Sequence, residues 1–391
     1  MTTNLFYNVW DGKVGGPMVL GEEYRWNVPI VTYGFDKSFL DYFGQPGVDA
    51  VEAAIQTIND LPPASSIALT NYPLNTTGYN REAGAQRFFD LKSATLPMLL
   101  QQFGLTSPSA NVWALRRWDS NICLFILFVD SNGMGFIPEG MFDFLGPYYV
   151  DQRNFDPITL QASRYVNETP YTYLITTLPD CTAGYIQSLK VDPLAPSDTA
   201  VCDNGVLLNY GGGLFYTGLT ADDVGGLLYL HNRTNINVET LDASIFPDNH
   251  TTNNLLRTAP RPGVEKITFV QHTTNFSGDF LTMTNQFTDA YFTNNAQVTQ
   301  AVQRVTSQPD FLFSAKDIGF VTYNDGANPG ISLRFCQPPD TSGWINNSGL
   351  NGNLGGDGPG VIRPQVRITF PTPAKYIAAA GGAINGPAYL W

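Results

Sequence analysis

The residues from Gly47 to Asp60 carry the strongest secondary-structure signal in the chain. The apolar side chains of this stretch recur at helical spacing: Val48, Val51, Ile55 and Ile58. Two prolines, at positions 62 and 63, stop the pattern and predict that the helix ends near Asp60. The run Val28–Tyr33 before it is apolar and β-branched, which predicts a strand. A strand followed by an amphipathic helix indicates that the chain begins with an α/β arrangement.

A second helical region runs from Arg81 to Phe103. The pattern is interrupted from Ser93 to Pro97, so we expect two helices or one kinked helix. Pro97 fits the first turn of a helix, where its missing N–H has no partner to lose. Gly104 fits the position just after a helix end, where a left-handed backbone is common.

The stretch Leu219–Asn232 reads LTADDVGGLLYLHN and predicts a short buried helix. Thr220 fits the N-cap, and Asp223 three residues later completes a capping-box arrangement. The apolar stripe at helical spacing consists of Val224, Leu227, Leu228 and His231. Gly225 and Gly226 each cost about 1 kcal/mol relative to Ala inside a helix, so we expect close packing against them.

Strand and loop patterns dominate the chain after Phe103. The predicted strands are Ile122–Val129, Tyr171–Thr177, Glu265–Gln271, Ile318–Tyr323, Ile331–Phe335 and Val361–Phe370. The segment Gln300–Val305 predicts a short helix. The polar stretch 242–262 is rich in Asn and Pro and predicts a linker or long loop. It would separate an α+β domain at residues 1–241 from a β-rich domain at residues 263–391.

Charged residues make up only 14% of the chain and the net charge is -13. No Lys/Arg cluster is available to release counterions from phosphates, which argues against nucleic-acid binding. The densest basic spot, Arg116-Arg117, lies between Trp113 and Trp118 and is interpreted as two arginines packed on aromatic residues. No apolar run of about 18 residues occurs, so no membrane-spanning helix is predicted.

The four cysteines do not have the spacing of a zinc site. Cys181 and Cys202 bracket a loop rich in Asp, Pro and Thr and are candidates for a local disulfide. Such a bond would contribute about 3 kcal/mol in an oxidising compartment. Cys123 lies in an apolar run and is expected to be a buried thiol.

Two stretches resemble the matrixin-like metzincins, a family of zinc proteases. VPIVTYGFD, followed by an Ala-rich helix, is similar to their first strand and helix, and LTADDVGGLLYL to their last helix. The family carries HExxHxxGxxH, in which three histidines hold Zn²⁺ and the glutamate activates its water. When Gly104-Leu105 is set on the Gly-Leu of the family, the ligand and glutamate positions fall on Pro97, Met98, Gln101 and Ser107. The resemblance therefore implies an α+β, metzincin-like scaffold with a large β-rich insertion and without the zinc motif.

A second resemblance involves EEYRWNVPIVTYGFD, DLKSATL, LTADDVGGLLYL, PDFLFSAKDIG and GPGVIRPQVRITF. These stretches are similar to large uncharacterised secreted proteins of environmental bacteria. The resemblance implies an extracellular or cell-surface location and does not indicate any activity. The first 20 residues lack the basic end and apolar run of a secretory signal, so for a secreted protein we expect that the leader has been removed or lies outside this numbering.

Other catalytic signatures are missing. The sequence has no GxSxG elbow, no phosphate-binding GxxxxGK[ST] loop and no GxGxxG. Of the three histidines, His272 has Ser277 and Asp279 nearby and is the best candidate for a catalytic triad, although a hydrogen-bonded or surface role is favoured. His231 is interpreted as a core residue with satisfied hydrogen bonds. A glycosidase site built from two carboxylates remains an alternative, because the sequence alone does not exclude such a pair.

We therefore expect a non-catalytic extracellular structural protein that self-assembles as a fibre, filament or surface-layer subunit, with no cofactor and no metal. After Lys375 the chain carries no charge, and this tail or Asn4–Trp10 would add a strand to a neighbour. The candidate assembly residues of the tail are Tyr376, Ile377, Tyr389, Leu390 and Trp391. Packing of both termini on their own chain is the open alternative for this segment. The alternative functions are a capsid protein or a secreted hydrolase whose aromatic cleft contacts glycan or peptide.

Overall fold

The fold is mixed α and β, rich in strands, with few helices and several small sheets. The computed structural model describes residues 23–86, 88–107, 112–118, 148–177, 184–195, 199–200, 213–248, 255–316, 321–324, 329–332, 344–347, 349–351, 359–371 and 388–390. The helices of these ranges are α1 (Lys37–Asn59), α2 (Arg81–Ala85), α3 (Leu91–Gln102) and α4 (Ala221–His231). Two 3-10 turns lie at Ala64–Ser66 and Leu69–Asn71.

The strands are short except for one long hairpin. The first twelve are β1 (Tyr24–Arg25), β2 (Ile30–Phe35), β3 (Thr77–Tyr79), β4 (Phe88–Asp90), β5 (Trp113–Trp118), β6 (Tyr148–Gln152), β7 (Tyr165–Val166), β8 (Thr169–Thr177), β9 (Gly184–Lys190), β10 (Leu214–Tyr216), β11 (Asn237–Thr240) and β12 (Ile245–Pro247). The others are β13 (Thr258–Arg261), β14 (Thr268–Gln271), β15 (Met283–Thr293), β16 (Ala296–Thr306), β17 (Phe311–Lys316), β18 (Val321–Asn324), β19 (Pro329–Ser332), β20 (Ile345–Asn346), β21 (Gly360–Val361), β22 (Val366–Pro371) and β23 (Ala388–Leu390).

A four-stranded parallel sheet of order β14-β2-β17-β22 forms the centre of the fold. β2 reads IVTYGF and is buried from its second residue onward, as expected for a parallel strand covered on both faces. Aromatic rings pack beside the sheet: the ring of Phe35 lies 4.9 Å from that of Phe39 and 5.4 Å from that of Phe313. One continuous hydrophobic core extends from Tyr24 to Phe370 along the sequence.

Strands from both sides of the expected linker at residues 242–262 share this sheet. β2 lies before that stretch, whereas β14, β17 and β22 lie after it. The stretch itself contains β12, which pairs with β16, and β13, which pairs with β11. The described parts of this stretch, residues 242–248 and 255–262, therefore carry strands that pair with other parts of the chain.

Helix α1 confirms the helix predicted at Gly47–Asp60 and begins ten residues earlier. The side chain of Asp36 caps its first turn by accepting a hydrogen bond from the backbone N–H of Phe39. Gly44 has φ 61° and places a kink between the early turns and the predicted stretch. Only the later turns carry the regular apolar stripe, which is why the pattern indicated a shorter helix.

The region from Arg81 to Phe103 contains two helices, but the break lies elsewhere than predicted. The interruption falls at residues 86–90, which include β4, and α3 runs without a break through Ser93 and Pro97. Asp90 caps α3 by accepting from the backbone N–H of Ser93 at 2.8 Å. Pro97 consequently lies in the middle of α3, and its expected first-turn position is wrong. Gly104 has φ 105°, which confirms its predicted role after the helix end.

The segment Gln300–Val305 lies in β16, so the predicted helix is wrong. β15 and β16 form a hairpin paired from Met283–Thr306 to Thr293–Ala296. Asn294 and Asn295 both have positive φ, which suits the tight turn that joins twisted strands. Cross-strand pairing over eleven residues outweighs the weak helical spacing of this segment. The predicted strand Ile122–Val129 lies outside the described residues.

Candidate functional site

The end of the predicted assembly tail pairs with its own chain. β23 forms a parallel ladder with β4, in which Ala388, Tyr389 and Leu390 lie opposite Phe88, Phe89 and Asp90. Tyr376, Ile377 and Trp391 lie outside the described residues. Strand β4 therefore accepts an added C-terminal strand within one molecule.

Strand β4 lies between two helices in the sequence, and its position is fixed by contacts with the rest of the fold. It begins three residues after the last residue of α2 and leads directly into α3, and Asp90 is both its last residue and the cap of α3. The carbonyl oxygen of Phe88 accepts a hydrogen bond from the backbone N–H of Gly213 at 2.7 Å. The side chain of Phe89 is part of the main core. These contacts hold β4 in place independently of β23.

His231 is buried at the end of α4, as predicted, but its hydrogen bonds are not satisfied. Neither ring nitrogen has a partner among the described residues. The ring meets the ring of Phe103 edge-on at 6.0 Å. Burial, together with the positive charge of Arg25, lowers the pKa of His231 to about 3. The imidazole is therefore neutral at physiological pH.

The three residues His272, Ser277 and Asp279 do not form a triad. His272 is buried, its Nδ1 lies 3.2 Å from the carbonyl oxygen of Thr273, and its Nε2 has no partner among the described residues. Asp279 instead accepts a hydrogen bond from the side chain of Asn275 at 3.0 Å. Ser277 donates its backbone N–H to the same Asn275 side chain. The neighbours of His272 in sequence thus form a polar turn.

The positions that align with the metzincin ligands lie in α3 and just beyond it. Pro97, Gln101 and Ser107 are all buried in the fold. Across the described ranges, no group of three or more His, Cys, Asp or Glu side chains is placed to hold a metal ion. Cys181 and Cys202, the candidates for a disulfide, lie outside those ranges, as does His250.

A polar cavity of about 210 Å³ lies between the β15–β16 hairpin, β11, β13 and the turn that follows β13. We call it the polar cavity. Its lining includes the apolar residues Phe287 and Pro262 and the polar residues Thr288 and Thr299. A single water needs only about 15 Å³ of such space, so a small molecule fits. Sequence reasoning did not find this cavity.

Three carboxylates and two arginines line the polar cavity, and each carboxylate has an arginine partner. Glu239 accepts from Nε of Arg25 at 2.7 Å, with both side chains almost fully buried. Asp289 accepts from Nε and Nη2 of Arg261 at 2.9 and 3.0 Å. The remaining carboxylate belongs to Glu265, whose Oε1 lies 3.4 Å from Nε of Arg233. Together with Arg25, which is not itself a lining residue, the two lining arginines balance the three carboxylates.

Two carboxylate oxygens of residues that line the polar cavity are buried without a hydrogen-bond partner among the described residues: Oε2 of Glu239 and Oε1 of Glu265. Arg25 donates to Oε1 of Glu239, whereas no described residue donates to Oε2 at ordinary hydrogen-bond distance; the side-chain amide of Asn27 acts on this carboxyl from farther away. Burial raises the pKa of the Glu239 carboxyl, and the charges of Arg25 and Arg261 and the amide of Asn27 oppose that shift. An unpaired carboxylate oxygen in a buried position costs free energy unless another group binds it.

Comparison with family models, with curated proteins and with solved structures finds no match to this chain. None of the helices in the described ranges has the length and apolar character needed to cross a bilayer.

Proposed function

We propose that this protein is a non-catalytic, extracellular structural subunit that self-assembles by placing its C-terminal strand on β4 of a second copy. The observation that supports the proposal is the parallel pairing of residues 388–390 with β4. Chains that add a terminal segment to a partner sheet gain backbone hydrogen bonds along the whole added strand. The same ladder can form within one chain or between two.

Exchange of the strand between copies conserves its contacts. When an identical segment moves from its own chain to a neighbour, the native pairing is kept and only the connection changes. Strand β4 is held by α2, α3 and Gly213. It therefore keeps its position as the acceptor strand while β23 moves from one copy to another. A head-to-tail exchange of this kind gives rings or filaments according to the angle between copies.

A second feature favours association. Several apolar side chains before, within and after the β7-β8-β9 segment of the chain are exposed, among them Ile158 at 76%, Leu174 at 51% and Leu194 at 90%. A contiguous apolar patch is typical of surfaces that contact another protein, and we propose that these side chains belong to one. These side chains offer an additional contact between assembled copies.

The proposal also includes a metzincin-like scaffold and an extracellular location. A metzincin-like scaffold is supported by the order of β2 and α1 at the start of the described chain and by the predicted helix α4. The extracellular location comes from the resemblance to secreted bacterial proteins. Recovery of the protein from the medium or surface of the producing cells tests the location, and recovery from the cell interior alone would contradict it.

The strand exchange is tested with two separate single-cysteine additions. One chain carries Phe88→Cys and the other carries Ala388→Cys, positions that lie opposite each other in the β4–β23 ladder. Directly paired strand residues have Cα atoms close enough for a disulfide. After mixing and mild oxidation, we expect a heterodimer whose 88–388 disulfide is identified by mass spectrometry of peptides.

The control replaces Phe88→Cys by Thr293→Cys, at the exposed turn of the β15–β16 hairpin. This pair should give no specific cross-link. Light scattering of the unmodified chain, with and without residues 388–391, measures assembly directly. A full-length chain that stays monomeric at high concentration, or equal cross-linking of the control pair, would rule out the proposal.

A further inference from the structure

The polar cavity contains an unpartnered hydrogen-bonding atom, and this atom carries the inference. Glu239 is 1% exposed, and no described residue donates to its Oε2 at ordinary hydrogen-bond distance. Native folds pair nearly all buried polar atoms, so one that remains unpaired in a cavity wall marks a contact point for a ligand. The volume of about 210 Å³ beside it provides the space.

The charge balance of the wall selects the class of ligand. Arg25, Arg261 and Arg233 each pair with one carboxylate, at 2.7, 2.9 and 3.4 Å. A charged ligand would have to compete with one of these pairs, two of which are almost fully buried. Separation of a buried pair costs several kcal/mol, so the wall disfavours both anions and cations.

The remaining groups of the wall suit hydroxyl groups on a small ring. The lining includes the polar residues Thr288, Thr299 and Gln297 and the apolar residues Phe287 and Pro262. A site for a small molecule combines an apolar wall with a few polar groups that fix orientation. A hydroxyl group both donates and accepts, so it can bond Oε2 of Glu239 in either protonation state.

We propose that the polar cavity binds a neutral, hydroxylated small molecule of the size of one sugar unit, with a ligand hydroxyl on Oε2 of Glu239. The site is independent of the strand exchange between β4 and β23, so each proposal can fail without the other. A subunit with such a site would recognise a glycan or a free sugar in addition to its own copies.

The test uses the full chain and a panel of sugars. Glucose, galactose, mannose and N-acetylglucosamine are the neutral probes, and glucuronate and glucosamine are their charged counterparts. Saturation-transfer NMR and calorimetry measure binding. We expect at least one neutral sugar to bind with a Kd below about 10 mM, and about tenfold tighter than its charged counterpart.

Two matched variants locate the binding. Thr288 lines the polar cavity, and Thr284 lies on the same exposed face of β15, outside it. Thr288→Trp fills the cavity and should weaken binding at least about tenfold, whereas Thr284→Trp should leave it unchanged. Glu239→Gln removes the charged acceptor and should weaken binding by a similar factor, with the melting temperature measured to confirm folding.

Three results would overturn the proposal. The first is the absence of binding by every neutral sugar, and the second is tighter binding of the charged sugars. The third is binding that Thr288→Trp and Thr284→Trp weaken equally, because the sugar would then lie elsewhere on the protein.

Discussion

His231 shows how one buried residue makes stability depend on pH. Its ring is neutral in the folded chain, because burial and Arg25 lower its pKa to about 3, against about 6.5 in an unfolded chain. Between these two values the unfolded chain binds a proton at this residue and the folded chain does not. The folded state therefore loses stability as the pH falls through this window.

We predict that His231→Leu removes this dependence. The wild-type chain should lose up to about 1.4 kcal/mol of unfolding free energy per pH unit from this residue as the pH falls from about 6.5 toward 3. The variant should lack that component, and at pH 8 it should be at least as stable, because two unpaired ring nitrogens are removed. Urea unfolding of both proteins at several pH values measures the difference.

Asp223 changes the free energy of unfolding with pH in the opposite direction to His231. The effect of His231 is therefore measured as the difference between the variant and the wild-type chain. Burial raises its pKa to about 6, so its contribution to stability is complete below about 3.8 and is lost as the pH rises toward 6. This contribution is shared by both proteins and cancels in their difference. A difference that is constant from pH 8 to pH 4 would contradict the assignment for His231.

At the level of elements, α4 combines a strong local signal with a close tertiary contact. Its N-terminus carries the predicted capping box: Thr220 accepts from the backbone N–H of Asp223, and the Asp223 carboxylate accepts from that of Thr220. The predicted close packing is confirmed at Gly225, where an added Cβ would lie 2.5 Å from Cβ of Pro157. Helix propensity and packing therefore oppose each other at this glycine.

We predict that Gly225→Ala destabilises the fold. Propensity alone would favour Ala by about 1 kcal/mol, whereas overpacking against Pro157 costs about 1 to 3 kcal/mol. The double variant with Pro157→Gly relieves the contact and should recover most of the loss caused by Gly225→Ala. A double-mutant cycle of unfolding free energies measures the coupling, and additive effects of the two changes would refute the contact.

At the level of the whole molecule, a buried ion pair joins the hairpin to the central sheet. Arg304 of β16 donates to Oδ2 of Asp310, just before β17, at 2.8 Å, and both side chains are almost fully buried. The same carboxylate oxygen accepts from the backbone N–H of Thr32 in β2 at 2.8 Å. Asp310 thus connects β16 and β17, which are neighbours in sequence, to β2, 278 residues earlier.

We predict that Arg304→Met lowers the free energy of unfolding by about 3 to 5 kcal/mol, because it leaves the Asp310 carboxylate buried without its cation. The control is Lys37→Met, which removes the exposed pair with Asp41 and should cost less than about 0.5 kcal/mol. Denaturant unfolding compares the two. A similar cost for both variants would show that the buried pair contributes no more than a surface pair.

The elements that the sequence predicts correctly are those whose capping residues or apolar pattern lie within one short stretch of the chain. The caps and stripe of α4, the later turns of α1 and the strand β2 all lie within short stretches. The pattern placed Pro97 wrongly because the capping role of Asp90 was not recognised. The polar cavity was beyond prediction, since Arg25 and Glu239 are 214 residues apart and no spacing brings them together.

The parallel order β14-β2-β17-β22 sets a constraint on biosynthesis. Asp36, at the end of β2, is hydrogen-bonded to Arg367 in β22, 331 residues later. At about 5–20 residues per second, the ribosome needs tens of seconds to deliver the last strand after the first. During that interval the apolar strand Ile30–Phe35 has no complete sheet to enter, so the producing cell must keep it from associating with other nascent chains.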